Sequence, residues 1–520
     1  MVLWALLVLA CAACEKGISD PDPSGESVER LSHEMIVLGD KLEDPYTVEN
    51  MTRALEALYP TRAGTKALRA THLYVRFLPR DRSQYTRLDS MGVVLYDHPL
   101  DYEIVRDGDY YHDPSVQDGK ITWQYAVLDE DFVFPADITY ELIDECYIAG
   151  AGSPTRDGDG IDWERVEREA YRITGNADRL LPLTRGDESG APAGRIAILD
   201  EQYDDEAVGV AGVRVSCNSF VKIAHAFTDE EGYYSVKTVF SSKVRYRLVF
   251  KNKKGFGIGF NLVLVPASSS TLGRHGPQGV DVLVDRDSDR NLFCRCVVNN
   301  AGYDYFNACS SNGQKMKAPP ANLRIWIFQK LSASSAVMLQ QGAIVDNSVI
   351  GEYLGEYTPL LKVFLPDVTL GLKGAPDYAS IYAAALHEFA HASHFAQVGT
   401  AYWDPYIRFI LKSFLTSGGI TYGVGTEENH GYCEVGEMWA YYLQTRLYRE
   451  RYRDSRTVFG TSHWFSPQIL LYMDERGLDR FHIFQALTPD VRDREALEQK
   501  LISLWPEERG TITQAFARYN

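Results

Sequence analysis

Residues 387–391 read His-Glu-Phe-Ala-His, a spacing that lets one helix present two imidazoles to a single divalent ion. Helix positions four apart share a face and stand about 6 Å apart along the axis, so His387 and His391 can point at one metal. Glu388 lies about 100° round the helix from His387, which sets its carboxylate beside that metal and not on it. A general base for an activated water has to sit there. Ala383, Ala384, Ala385 and Leu386 precede the run, and Phe389, Ala390 and Phe395 follow, so the helix is apolar nearly all round and is expected to be buried. Two imidazoles and a carboxylate buried without compensation would be expensive. A bound metal supplies the compensation, and Zn2+ is the expected ion.

Hydrolytic zinc takes three protein ligands and keeps its fourth position for water. His394 lies about 10 Å along the axis from His387, and an unbroken helix cannot return it to the same ion. Residues 432–443 offer two carboxylates instead, Glu434 and Glu437, one turn apart among Cys433, Val435, Met438 and Ala440. One would complete the metal shell. The other would then be placed to accept a hydrogen bond from a ligand histidine and fix its tautomer.

The His-Glu-x-x-His run, followed later by Glu437-Met-Trp-Ala440, resembles the gluzincin peptidases. Their third ligand is a glutamate on a later helix, commonly followed two and three positions on by an aromatic residue and an alanine. The resemblance covers these two short motifs and implies Glu437 as ligand, with Glu434 as the alternative, Glu388 as base and a protein or peptide as substrate. The metzincin pattern HExxHxxGxxH is not met, because His394 stands where it has glycine and Gln397 where it has histidine. Related enzymes stabilise the oxyanion with tyrosine or histidine, which makes Tyr422, His430, Tyr432 and His463 the candidates. The glycine-rich stretch 417–425 reads as a loop at a cleft, and residues 361–365 as an edge strand for an extended peptide. Two other readings share the motif: a zinc hydrolase of non-peptide amides, and a surface glycan- or protein-binding lipoprotein whose zinc site is structural or degenerate. A fourth protein ligand would close the site and favour the latter.

These residues need a scaffold, and 520 residues exceed one hydrophobic core. Residues 280–520 are expected to form a mainly helical, zincin-like catalytic domain with a short sheet. Its strands fall at 323–328 and 361–365, and its helices at 377–398, 404–415, 432–452 and 466–475, with more helix towards the end. Asp404-Pro405 and Ser466-Pro467 read as N-caps followed by a first-turn proline. Residues 194–200, 212–216, 232–236 and 246–250 are short alternating runs between turns, which predicts a small antiparallel β-sandwich over 188–267. This block resembles the carboxypeptidase regulatory-like, transthyretin-like family through residues 194–198, residues 212–215 and the turn Thr228-Asp229-Glu230-Glu231-Gly232-Tyr233, which implies a non-catalytic accessory module. Residues 31–187 read as an α+β domain: a helix over 47–68 broken at Pro60, strands at 72–77 and 93–96, and a closing helix over 162–173. A flexible linker is expected over 266–279. Asp285 opens a run like a calcium loop, but Arg290 and Cys296 occupy its sixth and twelfth positions, so it reads as a solvated acidic turn. The fold class expected is multidomain α+β.

Residues 1–14 form a short apolar run ending in small residues, which predicts an export signal. Ala12 and Ala13 before Cys14 resemble the lipobox of bacterial lipoproteins, implying lipidation at Cys14, with Cys11 as second candidate, and a place on the outer membrane or cell surface. The anchor is then the only membrane contact, and residues 15–30 are a polar tether. A net charge of −18 argues against nucleic acid as a partner. Six further cysteines, Cys146, Cys217, Cys294, Cys296, Cys309 and Cys433, allow disulfides without assigning them. Cys294, Cys296 and Cys309 lack the spacing and the fourth ligand of a zinc knuckle, so burial or a local disulfide at Cys309 is expected.

Overall fold

The computed structural model describes residues 35–63, 67–117, 120–150, 160–181, 189–203, 207–259, 267–330, 334–343, 367–416 and 422–519. Cys11, Cys14, the tether and the strand expected at 361–365 lie outside these residues, as does most of the glycine-rich stretch. Helices and several small sheets are mixed along the chain. No described helix is long and apolar enough to cross a membrane.

The first elements are β1 (Val37–Lys41), α1 (Val48–Leu58), β2 (His72–Leu78), α2 (Arg82–Ser90), β3 (Tyr102–Arg106), β4 (Gln124–Asp129), β5 (Thr139–Cys146) and α3 (Trp163–Ile173). β2 lies between β4 and β5 in an antiparallel sheet, and β1 pairs with β3. Thr47 and Asp162 cap α1 and α3 by accepting from the backbone of Asn50 and Arg165. The strand expected at 93–96 reduces to one bridge, Tyr96 with Tyr125. Val93 and Tyr96 are buried there without a ladder, and the Tyr96 hydroxyl turns to Ser216 Oγ at 3.0 Å.

The next block runs β6 (Ala193–Leu199), β7 (Ala207–Gly209), β8 (Val213–Ser219), β9 (Lys222–Phe227), β10 (Tyr233–Ser235), β11 (Val244–Asn252), β12 (Gly257–Ile258), β13 (Ser269–His275) and β14 (Val282–Val284). β6 pairs with β7, β10 and β14, while β8, β9, β11, β12 and β13 belong to a second sheet. The expected linker is thus corrected: residues 269–275 are a strand hydrogen-bonded to β11. Their Ser, Thr and Gly content hid a partner supplied from outside the segment. The turn at Thr228–Tyr233 forms as read, with Asp229 Oδ1 accepting from the backbone of Glu231 and Tyr233, and Gly232 at φ +83°.

Then come α4 (Arg290–Ala308), the hairpin β15 (Ser310–Ser311) and β16 (Gln314–Lys315), β17 (Arg324–Phe328), β18 (Val368–Gly371), α5 (Tyr378–Val398), α6 (Thr400–Thr416), α7 (His430–Tyr452), α8 (Gln468–Asp474), α9 (Arg480–Ala486), α10 (Arg494–Leu504) and α11 (Arg509–Arg518). β18, β17 and β12 are parallel and extend the sheet of β11. One continuous hydrophobic core therefore runs from Ile196 to Phe516 across residues 266–279. α4 was not expected; Asp289, the end of the acidic turn, caps it by accepting from Leu292 N. Cys294 and Cys296 on it and Cys309 just after it are buried free thiols, as are Cys146, Cys217 and Cys433 elsewhere, so burial and not a disulfide explains them.

α5 packs between α4 and α7. It begins with a reciprocal capping box between Asp377 and Ser380, and Gly399 at φ +77° ends it. α6 follows at once from Thr400, so Pro405 lies inside the helix and not at its first position. The buried rings of Tyr402 and Trp403 explain the earlier start: they fill the core beside α5, which outweighs the one helical hydrogen bond that proline cannot donate.

Candidate metal centre

Two neighbouring helices build the site. His387 and His391 lie on one face of α5, their rings 4.7 Å apart between centroids, and Glu437 faces them from α7. The Trp439 Nε1–H donates to the Ala390 carbonyl at 3.2 Å, which clamps α7 against α5 at this level. The two histidine Nε2 atoms are 3.1 Å apart, His387 Nε2 is 3.3 Å from Glu437 Oε2, and His391 Nε2 is 3.5 Å from Glu437 Oε1. An ion with ligands at 2.0–2.1 Å in tetrahedral geometry needs donors about 3.3–3.4 Å apart. The three contacts are close to that spacing, although the two to Glu437 end on different oxygens, and one donor atom from each side chain lies within 4.8 Å of the others. Among the described residues this is the one group of three or more His, Cys, Asp or Glu side chains close enough to hold a metal.

Neighbours set the donor atoms. His387 Nδ1 is 3.3 Å from Gln444 Oε1, an acceptor, so the ring proton sits on Nδ1 and the Nε2 lone pair faces the centre. Tyr406 on α6 donates to Glu437 Oε1 at 2.6 Å. Glu437 Oε2 is buried without a hydrogen-bond partner, as a ligand oxygen awaiting a cation would be. Burial works to raise the Glu437 pKa, but the His391 and His387 rings hold it well below the usual carboxylate range. Burial lowers His387 in turn, and Glu437 and the nearby Glu388 charge outweigh this and raise it. A proton and a divalent cation thus compete for the same lone pairs. His387, Glu388, His391 and Glu437 are 4%, 1%, 1% and 0% exposed, so all four side chains are buried.

The other residues singled out divide. Glu434 turns away from the histidines towards Arg494, whose Nη1 is 3.8 Å from Glu434 Oε1. It takes neither role considered for it. The hydrogen bond that fixes a ligand histidine comes from Gln444, two helical turns beyond Glu437 on the same face. His394 is fully buried against Tyr402 and Trp403, with its pKa pushed down to about 3 by burial, and stays outside that group. Tyr422 and His463 belong to a chain of ring contacts that starts at the centre: Tyr441 packs on His387 at 4.3 Å, His463 on Tyr441 at 5.7 Å and Tyr422 on His463 at 5.0 Å. His430 bonds the Glu427 carbonyl at 2.7 Å, and Tyr432 packs edge-on to Tyr402 at 4.8 Å. Tyr406, Tyr441 and Gln444 were not found from sequence. The i+7 spacing of Gln444 from Glu437 was an available signal; Tyr406 carried none, because Asp404-Pro405 suggested a different start for its helix.

Comparison of the chain with family models, with curated proteins and with solved structures finds no match.

Proposed function

We propose that this chain is a zinc-dependent peptidase in which His387, His391 and Glu437 hold the ion and Glu388 is the general base. The single observation that carries the reading is the convergence of two imidazole Nε2 atoms, 3.1 Å apart, on the Glu437 carboxylate, whose Oε2 and Oε1 lie 3.3 Å and 3.5 Å from them. Bound zinc would acidify water and polarise the scissile carbonyl. Glu388, on the turn between the two histidines, accepts the water proton and passes it to the leaving amine. Its burial raises the strength of that interaction by keeping competing water away. Gln444 and Tyr406 orient His387 and Glu437, and His463 and Tyr422, which follow Tyr441 in a chain of ring contacts from His387, are the candidate donors to developing negative charge. Glu388→Gln should retain one zinc per chain and lose peptide cleavage by at least about a hundredfold, whereas His387→Ala should lose the metal. A glutamine variant that still digests a peptide library at the parent rate would overturn the role of Glu388.

The same reading takes residues 280–520 as the zincin-like catalytic domain, residues 188–267 as the regulatory-like sandwich and residues 31–187 as an accessory α+β domain. It takes the chain as exported and lipidated at Cys14, which the apolar residues before it support. Cys14→Ser should release the protein into the soluble fraction; continued membrane association would count against the anchor.

One observation favours a second reading, a surface-binding lipoprotein with a structural or degenerate zinc site. The four side chains of the centre are at most 4% exposed. A peptidase must open there, so hydrolysis of any peptide by the zinc-loaded chain excludes this alternative.

A further inference from the structure

A group of cations converges where the N-terminal strands meet the sheet of β11. In β11, Arg245 stands directly opposite Asn218 of β8 on one side and Arg274 of β13 on the other. Cross-strand partners project from the same face, so two guanidinium groups are set side by side, and like charges so placed destabilise a sheet. Two more cations join them. The Lys243 backbone N–H donates to the Arg179 carbonyl at 2.8 Å, and after burial the charge of Arg274 is the next cause lowering the Arg179 pKa. Arg179, Lys243, Arg245 and Arg274 line one small pocket with Asn218, Ser219 and, from the N-terminal strands, His98, Tyr102 and Ile104. The chain as a whole carries −18, so this concentration of positive charge runs against its average.

Local carboxylates do not balance the group. Asp107 pairs with Arg245 and also accepts from Thr271 Oγ1 at 2.7 Å. Asp178 and Glu103 act on Arg179 through charge alone. Arg245 is 6% exposed and its Nε is buried without a hydrogen-bond partner. Burial first, and then the neighbouring Arg247, push its pKa down to about 9. His98, whose Nε2 is 3.5 Å from Arg245 Nη1, bonds Asp97 through Nδ1 at 3.0 Å and is driven down to about 4 by burial, so it stays neutral at pH 7. A like-charged pair across a ladder and an unsatisfied guanidinium N–H are both relieved by the same thing, an anion among them.

We propose that this pocket binds one compact oxyanion, a phosphate- or sulfate-type group, gripped by Arg179, Lys243, Arg245 and Arg274. The free space is about 20 Å³ where a single water needs roughly 10–15 Å³. That is room for little more than one water, so the anion would seat with part of its surface outside the pocket, against the exposed side chains of Lys243 and Arg274, and no base or sugar enters. Such an anion is either free or the end of a larger molecule, and by bridging β3 and β13 it ties the N-terminal strands to the sheet.

The test is calorimetric titration of the full chain with inorganic phosphate and, separately, with glycerol phosphate, at ionic strength held constant with chloride. Saturable one-to-one binding is expected, weakened tenfold or more by Arg274→Ala and by Lys243→Ala, both exposed positions whose truncation the fold tolerates. Lys253→Ala, an exposed cation elsewhere, should leave it unchanged. Tighter binding of the ester assigns the site to a phosphorylated molecule, and tighter binding of phosphate to the free ion. Thermal melting gives an independent readout: without phosphate Arg274→Ala should melt no lower than the parent, and with phosphate the parent alone should gain. Absence of saturable binding by both probes, or equal affinity in the parent and the two pocket variants, overturns the proposal.

Discussion

Gln444 sets the geometry of the centre without touching the ion it serves. Its amide oxygen faces His387 Nδ1 at 3.3 Å and so directs the opposite lone pair towards Glu437 and His391. Removing an orienting partner of this kind lowers metal affinity about 10–100-fold. Gln444→Ala should therefore bind zinc that much more weakly in competition with a chromophoric chelator while melting close to the parent. Gln444→Glu, which still offers an acceptor, should recover most of the affinity. An alanine variant with parental affinity would show that Tyr441, packed on the same ring, is sufficient to hold it.

At the scale of elements, α7 does the positioning, because its two ends are tied to different parts of the molecule. Near its start Glu437 and Trp439 engage α5. At its end Arg451 pairs with Asp200, just after β6, at 2.9 Å and with Asp304 on α4 at 3.3 Å, while lying over the rings of Tyr378, Tyr382 and Tyr452. Asp200 is fully buried and also accepts from Tyr452 at 3.0 Å. Arg451→Met keeps the packed stem but leaves a buried carboxylate without its counter-ion, which costs about 3–5 kcal/mol. Chemical denaturation should show that loss, and the double variant Arg451→Met with Asp200→Asn should regain much of it. A single variant as stable as the parent would mean that the rings and not the charge pair hold α7.

Across the whole molecule, buried charge makes stability depend on pH. Asp44, 4% exposed, accepts from the Tyr46 backbone at 2.8 Å with Oδ1, and its Oδ2 has no hydrogen-bond partner. Burial first, and then the charges of Asp101 and Asp144, raise its pKa to about 8 against the backbone hydrogen bond of Tyr46, which lowers it. The folded state thus holds a proton that the unfolded chain releases near pH 4. The contribution of this group is present in full below the unfolded pKa of 3.8, declines as pH rises, and is gone above about 8. Asp44→Asn keeps the acceptor for Tyr46 and removes the ionisation. It should be more stable than the parent at pH 8 by about 1–3 kcal/mol, with the difference shrinking towards pH 4. A difference independent of pH in denaturant titrations would assign the effect to another cause.

What could be read along the chain was what local spacing dictates. His387 and His391 must share a face because a helix repeats every 3.6 residues. The caps expected at Asp404 and Ser466 do not form, since Pro405 lies inside α6 and α8 starts after Pro467 without a side-chain cap, whereas Thr47, Asp162 and Asp377 do cap their helices. The turn at Asp229 to Gly232 is likewise a matter of neighbours in sequence. Tertiary structure decided everything that depends on which element lies opposite. Glu434 and Glu437 are equivalent by composition and, one turn apart, share a helix face, so spacing cannot choose between them; packing does, setting Glu437 against the two imidazoles and Glu434 beside Arg494. Tyr406, Gln444 and the strand over 269–275 owe their places to partners far away in the chain, and the run of alternating polar and apolar residues that would have announced β13 is absent because β11 and not its own pattern recruits it. Periodicity specifies a face; only packing specifies what that face meets.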